Sequence, residues 1–579
     1  MHETMIMKNH VKLFFILFLI AGLLGCNQNQ KDYPKEIPRP NILLILVDDL
    51  GYSDLGCFGS EIRTPNLDKL ANQGAKFTDF YVSSLCAPTR AMLLTGVDNH
   101  QNGLGTMPPA HTENQYLKPG YEGSLNNQVI TIPEVLGDNG YHTYMTGKWH
   151  LGHHQESYPV NRGFEKSFAL LGGGSGHFTN PFPLGPGEAP VTFYVKDQDI
   201  VEKLPEDFYS SKDFTDKMIN YIEEQEDDSP FFAFLAYTAP HDPLHVPDEY
   251  LDYYKGVYDS GYEQIKRDRL ARIKKIGIVN ESVPYNPGTS KFPEWGDLDD
   301  DQKKLQARTM EIYASMVENL DYHIGRLIDS LKEAGKYENT IIVFLSDNGA
   351  NPKEPVAYPG SSKEYLAQSF NNNFSNLGKA NSFISQGGAW AEVSNTPFTY
   401  FKTTTGEGGI HAPLIIAGPG IEKQKLYTNS GMHVCDIFPT ILDFVEVSRP
   451  VKYKENELAP LYGKTAKKFL EGKAELVRNT SINPLLFEMV ECKAIIKEKW
   501  KAMMLQPPYA NEPIWQLYDL STDPLEKHDL SLQEPEKLEE LIKDWDEYAN
   551  DVGYIKAEGE MLINKLGPEK FYKYENPNK

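Results

Sequence analysis

From position 41 onward, short apolar runs alternate with longer amphipathic stretches along the chain. Strands buried inside a sheet are short and apolar, whereas the helices that cover a sheet are longer and apolar on one side only. The alternation therefore predicts an α/β fold with a large, mostly parallel central sheet flanked by helices. The predicted strands are residues 42–47, 142–146, 231–237, 341–345 and 414–417.

One long helix is also predicted. Between Gln302 and Ala334, apolar side chains recur mostly every three or four residues, and Gly335 follows. This spacing is typical of an amphipathic helix that ends at a glycine. The apolar stripe consists of Leu305, Tyr313, Met316, Leu320, Ile324, Leu327 and Leu331.

Two later regions depart from this pattern. Residues 351–396 are rich in Asn, Ser and Gly and are too long for a simple connection, which favours a functional loop. Beyond Pro450 the charge density rises and the strand patterns become short. We therefore expect a main domain at 41–450 and a smaller C-terminal α+β subdomain at 451–579. The short strands are predicted at 494–496, 500–505 and 516–520.

The N-terminus indicates export. Lys8 and Lys12 precede an apolar run that ends at Gly25, well short of the roughly 20 residues that a membrane-spanning helix needs. The run ends in Leu-Leu-Gly-Cys, which resembles the cleavage box of bacterial lipoproteins, where Cys26 becomes the acylated first residue. The alternative is an ordinary signal peptide with a chance cysteine.

These patterns predict a lipoprotein signal peptide at 1–25 and a flexible tether at 26–40. The protein is then exported, periplasmic or anchored to the outer membrane, and its only membrane contact is the lipid on Cys26.

Composition narrows the classes of function. Lys and Arg number 57 against 81 Asp and Glu, so the net charge of −24 repels nucleic-acid phosphates, and no nucleic-acid partner is expected. A 40% hydrophobic content excludes disorder as the dominant state. The five cysteines are too scattered for a disulfide framework. Three of them lie in no motif and are expected to be buried free thiols, with one disulfide among them as the alternative: Cys57, Cys435 and Cys492.

Two predicted strands end in pairs of oxygen-bearing side chains. Asp48 and Asp49 follow the first strand, and Asp347 and Asn348 follow the strand at 341–345. Ligands of open α/β sheets bind at the carboxyl edge, where these pairs would converge. Three carboxylates and one amide suit Ca²⁺ or Mg²⁺ rather than zinc, which prefers His and Cys.

A third motif lies at residues 84–96. Pro88 fits the first turn of a helix that Gly96 ends, which places Cys86 at the positive end of the helix dipole. Arg90 follows about one turn later. Backbone N–H groups and this guanidinium suit a charged nucleophile or a tetrahedral oxyanion such as sulfate or phosphate.

The same stretch resembles the signature of the sulfatases, in which cysteine, any residue, proline, any residue and arginine direct oxidation of the cysteine to Cα-formylglycine. Thr89 stands where serine is commoner, which the shared pattern tolerates. The resemblance spans roughly residues 40–450, with a C-terminal continuation at 499–501 and 517–520. The other segments that carry it are Asp48-Asp49, Gly147-Lys148-Trp149-His150-Leu151-Gly152, Asp347-Asn348-Gly349, Asn395-Thr396-Pro397-Phe398, Lys402 and Glu407-Gly408-Gly409.

The resemblance implies an alkaline-phosphatase-like sandwich with a mixed, mostly parallel sheet and a short C-terminal antiparallel sheet with a helix. It implies hydrolysis of an aryl, alkyl or carbohydrate sulfate ester through a formylglycine sulfo-enzyme intermediate. A formylglycine-generating enzyme would convert Cys86 during maturation, and one Ca²⁺ per chain would bind at Asp48, Asp49, Asp347, Asn348 and residue 86.

The family pattern also implies roles for the remaining residues. Asp347 would assist the nucleophile at position 86, Arg90 would stabilise its charge, and His150 would act as a base. His241, inside Ala239-Pro240-His241, would contact the sulfo group and protonate the departing oxygen, and Lys402 would bind the sulfo group from the opposite side. Lys148 and His150, one residue apart, would point the same way in extended geometry.

Other glycine and histidine positions have weaker assignments. The glycine-rich segments 102–105 and 172–176 lack phosphate-loop spacing and are interpreted as close-approach turns near the mouth of the site. The histidines beside them, His100, His111 and His177, are candidates for substrate contact. His245 and His411 are read as loop or pocket-wall residues without a role.

Two alternatives stay open. A phosphonate or phosphodiester hydrolase of the same superfamily would use the same groups, and an inactive glycan-binding lipoprotein would keep the fold alone. If the metal site is correct, Asp48→Ala or Asp347→Ala should abolish activity and leave the fold largely intact.

Overall fold

The computed structural model describes residues 39–186 and 193–561. The predicted signal peptide and nearly all of the predicted tether lie outside the described residues. Contacts group the chain from Pro40 onward into one compact unit. The boundary predicted near position 450 stays a prediction. Within the described residues, no helix is both long and apolar enough to cross a membrane.

A mixed ten-stranded sheet forms the centre of the fold. In chain order its strands are β1 Asn41–Asp48, β2 Ala75–Phe77, β4 His142–Lys148, β5 Lys166–Leu170, β6 Tyr194–Lys196, β7 Asp199–Val201, β8 Phe231–Pro240, β9 Thr340–Ser346, β10 Leu414–Ala417 and β11 Lys425–Tyr427. Their order across the sheet is β11-β2-β10-β9-β1-β8-β4-β5-β6-β7. The five central strands β9, β1, β8, β4 and β5 run parallel, and antiparallel pairs follow on both sides. A small second sheet pairs β3 Phe80–Tyr81 with β12 Met432–His433, and β13 Lys452–Tyr453 pairs with β14 Asn456–Glu457.

Helices cover both faces of the sheet. Alternate residues of β1 belong to two different hydrophobic clusters, because successive side chains of a strand point to opposite faces. The helices are α1 Pro65–Gln73, α2 Cys86–Thr95, α3 Asn99–Asn102, α4 Ile132–Gly137, α5 Ser210–Glu223, α6 Tyr262–Lys275, α7 Asp300–Glu333, α8 Lys363–Ser369, α9 Gly388–Ser394, α10 Glu407–Ile410, α11 Ile437–Phe444, α12 Lys467–Leu470 and α13 Pro535–Val552. The first cluster includes residues of α5 and α7, and the second includes residues of α2 and α11.

The long helix α7 is the one predicted from its apolar spacing. It begins at Asp300, two residues earlier than predicted, because Asp299 and Gln302 form a capping box there. Gly335 follows in the left-handed conformation, at φ 67°. Leu305 was wrongly included in the buried stripe: it is 41% exposed, near the solvated start of the helix. The other predicted stripe residues are buried.

The C-terminal part contains the predicted antiparallel sheet. Strands β15 Leu485–Met489, β16 Cys492–Lys497, β17 Trp500–Met504 and β18 Trp515–Asp519 pair in sequential order. Helix α13 packs on one face, where Leu541 and Trp545 share a cluster with Ile495. The other face packs against Tyr81 and Ile410 of the main body. The predicted fold class, a mostly parallel sheet with a smaller antiparallel C-terminal sheet and helix, is confirmed.

Candidate active site

Four neighbouring strands end at one edge of the sheet with polar side chains. β1 ends in Asp48, β4 ends in Lys148, and β8 and β9 are followed by His241 and Asp347. The parallel register aligns these ends, since Val47 pairs with Ser346 and Asp48 with Pro240. Residues that are about 300 positions apart in the chain therefore meet at the carboxyl edge of the sheet.

Helix α2 brings Cys86 and Arg90 to the same edge. Cys86 is its first residue, and Gly96 closes it in the left-handed conformation. The Arg90 guanidinium donates hydrogen bonds to Asp347 Oδ2 at 2.7 and 3.1 Å, and to the backbone oxygen of Lys148 at 2.9 Å. Cys86 Sγ lies 3.3 Å from His150 Nδ1.

Cations and acids alternate across the site. Lys148 Nζ donates to Asp48 Oδ2 at 2.7 Å, and Lys402 Nζ donates to Asp49 Oδ1 at 2.6 Å. Asp49 also accepts from Asn348 Nδ2 at 2.6 Å. His241 Nε2 lies 3.4 Å from Asp49 Oδ2. One buried network thus brings together the ten predicted site residues: Asp48, Asp49, Cys86, Arg90, Lys148, His150, His241, Asp347, Asn348 and Lys402.

The oxygen atoms of this network fit a hard divalent cation. Three buried oxygens have no hydrogen-bond partner: Asp48 Oδ1, Asp49 Oδ2 and Asn348 Oδ1. Ligand atoms of Asp48, Cys86 and Asp347 lie within 4.8 Å of one another. Buried oxygens without hydrogen-bond partners are costly, and coordination to a cation would offset that cost. An all-oxygen donor set of carboxylates and one amide suits Ca²⁺ or Mg²⁺.

Burial and neighbouring cations shift the pKa values of the three site acids in different directions. Burial raises the pKa of Asp48 to about 7, although Lys148 opposes the shift. Burial also favours the neutral form of Asp347, but Arg90 and Lys148 outweigh it and lower the pKa. The pKa of Asp49 is likewise lowered, because Lys402 and His241 outweigh burial. Asp48 is therefore the acid that most needs further positive charge nearby to stay ionised.

The pKa values of Cys86, His150 and His241 are also shifted. Burial alone would raise the pKa of Cys86, but Lys148 and Lys402 outweigh it and lower the pKa. Burial and the nearby Lys148, Arg90 and Lys402 lower the pKa of His150 well below its usual value, which keeps the ring neutral. Burial opposes protonation of His241 too, but Asp49, Asp48 and Asp242 raise its pKa to about 9.

The path of the chain from Lys148 to His150 differs from the prediction. Lys148 to His150 was predicted to be extended, and this is wrong, because His150 has φ 58°, in the left-handed region. Both side chains still reach the site, Lys148 through Asp48 and His150 through Cys86. A turn just after β4, not strand alternation, aims the histidine.

The other histidines serve the structure around the site. The expected substrate contact of His100 is wrong: its two ring nitrogens lie 2.9 Å from Asp98 and from Glu488, so neither is left for a substrate. His177 Nε2 lies 3.1 Å from the backbone oxygen of His241, and His245 Nε2 lies 2.8 Å from that of Ser382.

His111 and His411 pack inside the body. His111 packs against the rings of Tyr116 and Tyr121. His411 Nδ1 lies 2.9 Å from Glu407, and its ring stacks on Phe398.

Cys57, Cys435 and Cys492 are free thiols, so the disulfide alternative is not found among the described residues; Cys435 and Cys492 are buried as predicted, whereas Cys57 is half-buried. Burial raises the pKa of the thiol in Cys57 and Cys435, and raises that of Cys492 to about 12. Cys86 is the one described cysteine with a lowered pKa.

Sequence reasoning missed two groups that support the site. Asp242 binds His241 and is held by the 351–396 segment. Its position directly after His241 was the available signal. Lys501 of β17 is fully buried and pairs with Glu407 and Glu526, which anchors α10 beside the site. Residues 499–501 and Glu407 belong to the segments that carry the family resemblance, but the sequence did not indicate that Lys501 and Glu407 pair.

Comparison with known proteins places this site in a family. The family model described as Sulfatase matches residues 40–447. The chain belongs to the sulfatase family. It is 42% identical over 426 residues to the arylsulfatase of Klebsiella aerogenes, covering 73% of this chain and 90% of the relative. It is 40% identical to an uncharacterized sulfatase of Schizosaccharomyces pombe, covering 92% and 97% of the two chains.

Solved structures share the fold of this sulfatase. Ps i-CgsB in complex with k-i-k-neocarrahexaose has a TM-score of 0.63 at 23% identity, covering 93% of this chain and 98% of the other. BT4656 in complex with D-glucosamine-2-N,6-O-disulfate has a TM-score of 0.58 at 22% identity, covering 90% and 99%. The fold is the alkaline-phosphatase-like fold, and the enzyme is a sulfuric ester hydrolase. The family generally uses formylglycine and a divalent metal ion.

Proposed function

We propose that this sulfatase binds one Ca²⁺ and carries formylglycine at position 86, and that it releases sulfate from an aryl, alkyl or carbohydrate sulfate ester. The observation that carries the proposal is the set of three buried oxygens without a hydrogen-bond partner, on Asp48, Asp49 and Asn348, at a site where ligand atoms of Asp48 and Asp347 lie within 4.8 Å of Cys86 Sγ. Arg90, Lys148 and Lys402 surround them with positive charge that suits a sulfo group.

Calcium is favoured by the donor atoms. Asp48, Asp49, Asp347 and Asn348 offer only oxygen, and Ca²⁺ accepts six to eight oxygen ligands in flexible geometry. A divalent ion beside Asp48 would offset the burial that raises its pKa. The group at position 86 would complete the coordination.

Formylglycine, in its hydrated form, would supply an oxygen nucleophile that the cysteine thiol does not offer. The chain's own residues support that group. His150 Nδ1, 3.3 Å from Cys86 Sγ, is placed to take up a proton from residue 86. Asp347, fixed by two hydrogen bonds from Arg90, is the carboxylate that would orient and activate the nucleophile.

The sulfo group would lie between the lysines. Lys148 and Lys402 are held by Asp48 and Asp49 and can turn their ammonium groups toward sulfo oxygens. As the ester S–O bond breaks, its electron pair stays on the leaving oxygen. His241 Nε2 is placed to donate a proton to that oxygen.

The substrate class is proposed from the relatives. The Klebsiella aerogenes relative is an arylsulfatase, and a structural neighbour binds D-glucosamine-2-N,6-O-disulfate. These names support a sulfated small molecule or glycan as the substrate. Export through the 1–25 signal and acylation of Cys26 would place the enzyme in the periplasm or at the outer membrane. A formylglycine-generating enzyme would act on Cys86 before the chain folds, because Cys86 is buried in the folded protein.

Two measurements test the proposal. Peptide mass spectrometry of the active protein should find an aldehyde in place of the thiol at position 86. Chelation followed by dialysis should abolish hydrolysis of 4-nitrophenyl sulfate, and Ca²⁺ should restore it. An unmodified thiol in fully active enzyme, or full activity after chelation, would contradict it.

A substrate comparison tests the reaction class. Sulfate ester turnover should exceed that of the matched nitrophenyl phosphodiester and phosphonate. Dominant phosphonate turnover would instead favour the second hydrolase class.

A further inference from the structure

Both nitrogen atoms of the His241 ring have defined surroundings. Nε2 faces the site, 3.4 Å from Asp49 Oδ2. Nδ1 lies 2.8 Å from Asp242 Oδ1 and 2.6 Å from the backbone oxygen of Asp242. Both of these neighbours are acceptors, so Nδ1 carries a hydrogen and donates it. Nε2 is therefore the ring nitrogen that is left to act in the site.

The Asp242 carboxylate is itself held by the segment 351–396. Tyr358 donates its hydroxyl hydrogen to Oδ1 at 2.6 Å, and Asn351 Nδ2 lies 3.4 Å from the same oxygen. Ser385 donates to Oδ2. Asp242 and these three partners are all buried, each at most 6% exposed. A buried carboxylate is costly, so four partners on one carboxylate, His241 included, indicate a specific task.

The Cε1 edge of the ring, between its two nitrogens, is also confined. A methyl group added at Gly174 would lie 3.3 Å from His241 Cε1, so the backbone of this glycine-rich turn closes against the ring. The His241 backbone is held as well, because His177 Nε2 lies 3.1 Å from its oxygen. The glycine-rich turn limits the space around the ring, and the carboxylate sets its orientation.

We propose that Asp242 is a positioning residue that, together with Tyr358 and Ser385, fixes the His241 ring so that Nε2 faces the leaving oxygen of the ester. The inference rests on the proposed role of His241 as the proton donor. The proton on Nε2 must reach the leaving oxygen while the S–O bond breaks, and a misplaced ring delivers it poorly. Because the donors to Asp242 come from the 351–396 segment, that segment contributes to catalysis through His241 as well as to the walls of the site.

Leaving-group dependence distinguishes positioning from a purely structural role. A poor leaving oxygen needs protonation more than a good one, so phenyl sulfate depends on His241 more than 4-nitrophenyl sulfate. We expect Asp242→Asn to lower kcat/KM about 100-fold for phenyl sulfate and less than about tenfold for 4-nitrophenyl sulfate. Tyr358→Phe and Ser385→Ala, which keep the charge of Asp242, should show the same preference with about three- to tenfold losses for phenyl sulfate.

Ser361→Ala is the matched control, because it removes a hydroxyl of the same segment that makes no hydrogen bond in the described structure. Ser361→Ala should leave kcat/KM unchanged for both phenyl sulfate and 4-nitrophenyl sulfate. In a His241→Asn background, Asp242→Asn should add less than about a twofold loss, because residues that act as one unit are not additive. Circular dichroism and thermal unfolding verify that each variant is folded.

Three results would overturn the inference. Equal losses for the two esters in Asp242→Asn and Tyr358→Phe would assign these residues a structural role only. Additive losses in the His241→Asn background would show that Asp242 does not act through His241. If His241→Asn lost no more activity toward phenyl sulfate than toward 4-nitrophenyl sulfate, His241 would not be the proton donor. In each case, sulfate release by the unmodified enzyme would leave the proposed function standing, whereas its absence would overturn both.

Discussion

Asp48 is the site acid whose pKa burial raises, to about 7. It is completely buried, its Oδ2 accepts from Lys148, and its Oδ1 has no hydrogen-bond partner and lies 3.7 Å from the Arg90 guanidinium. We expect Asp48→Asn to weaken Ca²⁺ binding at least about tenfold and to lower sulfate release about 100-fold. The asparagine keeps the shape of the side chain and an acceptor for Lys148, so the unfolding temperature should change little.

Calorimetric titration with Ca²⁺ and an assay of released sulfate measure both effects. Asp252→Asn is the control, since that side chain is 72% exposed and lies outside the site. Unchanged Ca²⁺ affinity in Asp48→Asn would contradict the assignment. Asp347→Ala is a poorer variant than the sequence suggested, because it removes the nearer of the two acids that pair with the buried Arg90 and leaves only Asp48, 3.7 Å away.

The sequence identifies the residues whose signals are local. Asp48 and Asp347 follow apolar runs, and Cys86 lies inside a compact motif, so each could be recognised from its neighbours. Asp242 could not be assigned a role, because its partner Tyr358 lies 116 positions away. The orientation of the His150 side chain depends on a positive φ, which cannot be predicted from the residue type.

The short helix α10 approaches the end of β9 so closely that one position requires glycine. A methyl group at Gly349 would lie 1.8 Å from the backbone oxygen of Gly408. We expect Gly349→Ala to push α10 away from Asn348, to lower kcat/KM at least about tenfold and to cost about 1–3 kcal/mol of stability. Kinetics and denaturant unfolding measure these effects.

Gly296→Ala is the matched control, because nothing lies within 4 Å of the added methyl group. It should leave both kinetics and stability unchanged. Normal activity in Gly349→Ala would mean that α10 can shift without disturbing Asn348.

Strands and the long helix were predictable because their signals are periodic. All eight predicted strands exist, and α7 was placed to within two residues at its start. The approach of α10 to β9 was not predictable, since it depends on two glycines about 60 positions apart that meet only in the folded chain. Leu305 shows the same limit, because helical spacing alone does not reveal where a helix leaves the core.

Lys501 connects the C-terminal sheet to the body that contains the active site. Its ammonium group is fully buried and lies 2.7 Å from Glu407 and 2.6 Å from Glu526. Lys501→Met should destabilise the protein by about 3–5 kcal/mol, because it leaves two buried carboxylates without their cation. Denaturant unfolding measures the loss. Adding Glu407→Gln should recover part of it.

Lys499→Met is the matched control in the same part of the chain. The Lys499 side chain is 50% exposed and pairs with Asp519 in solvent, so its loss should cost less than about 1 kcal/mol. Equal costs for the two variants would contradict a special role for Lys501. The cluster also explains why the C-terminal subdomain could be predicted as strands but not as a structural support of the site: its charges pair across 94 positions.

A second buried ion cluster joins the same two parts and should make stability depend on pH. His100 of α3 lies between Asp98 and Glu488 of β15. Burial would lower its pKa, but the hydrogen bonds to Asp98 and Glu488 outweigh burial and raise the pKa from 6.5 to about 9. A raised folded-state pKa means that folding favours proton uptake. This stabilisation is complete below pH 6.5 and is lost as the pH rises through 9.

We therefore expect the unfolding free energy of the unmodified protein, relative to that of His100→Gln, to be about 3 kcal/mol larger at pH 6 than at pH 10. Glutamine can still form hydrogen bonds with both acids but cannot titrate, so the difference between the two proteins isolates the charge. Urea unfolding at a series of pH values gives both curves. Parallel curves between pH 6 and pH 10 would mean that His100 is neutral in the folded protein. In that case a proton on Asp98 or Glu488, rather than on the imidazole, would hold the two parts together.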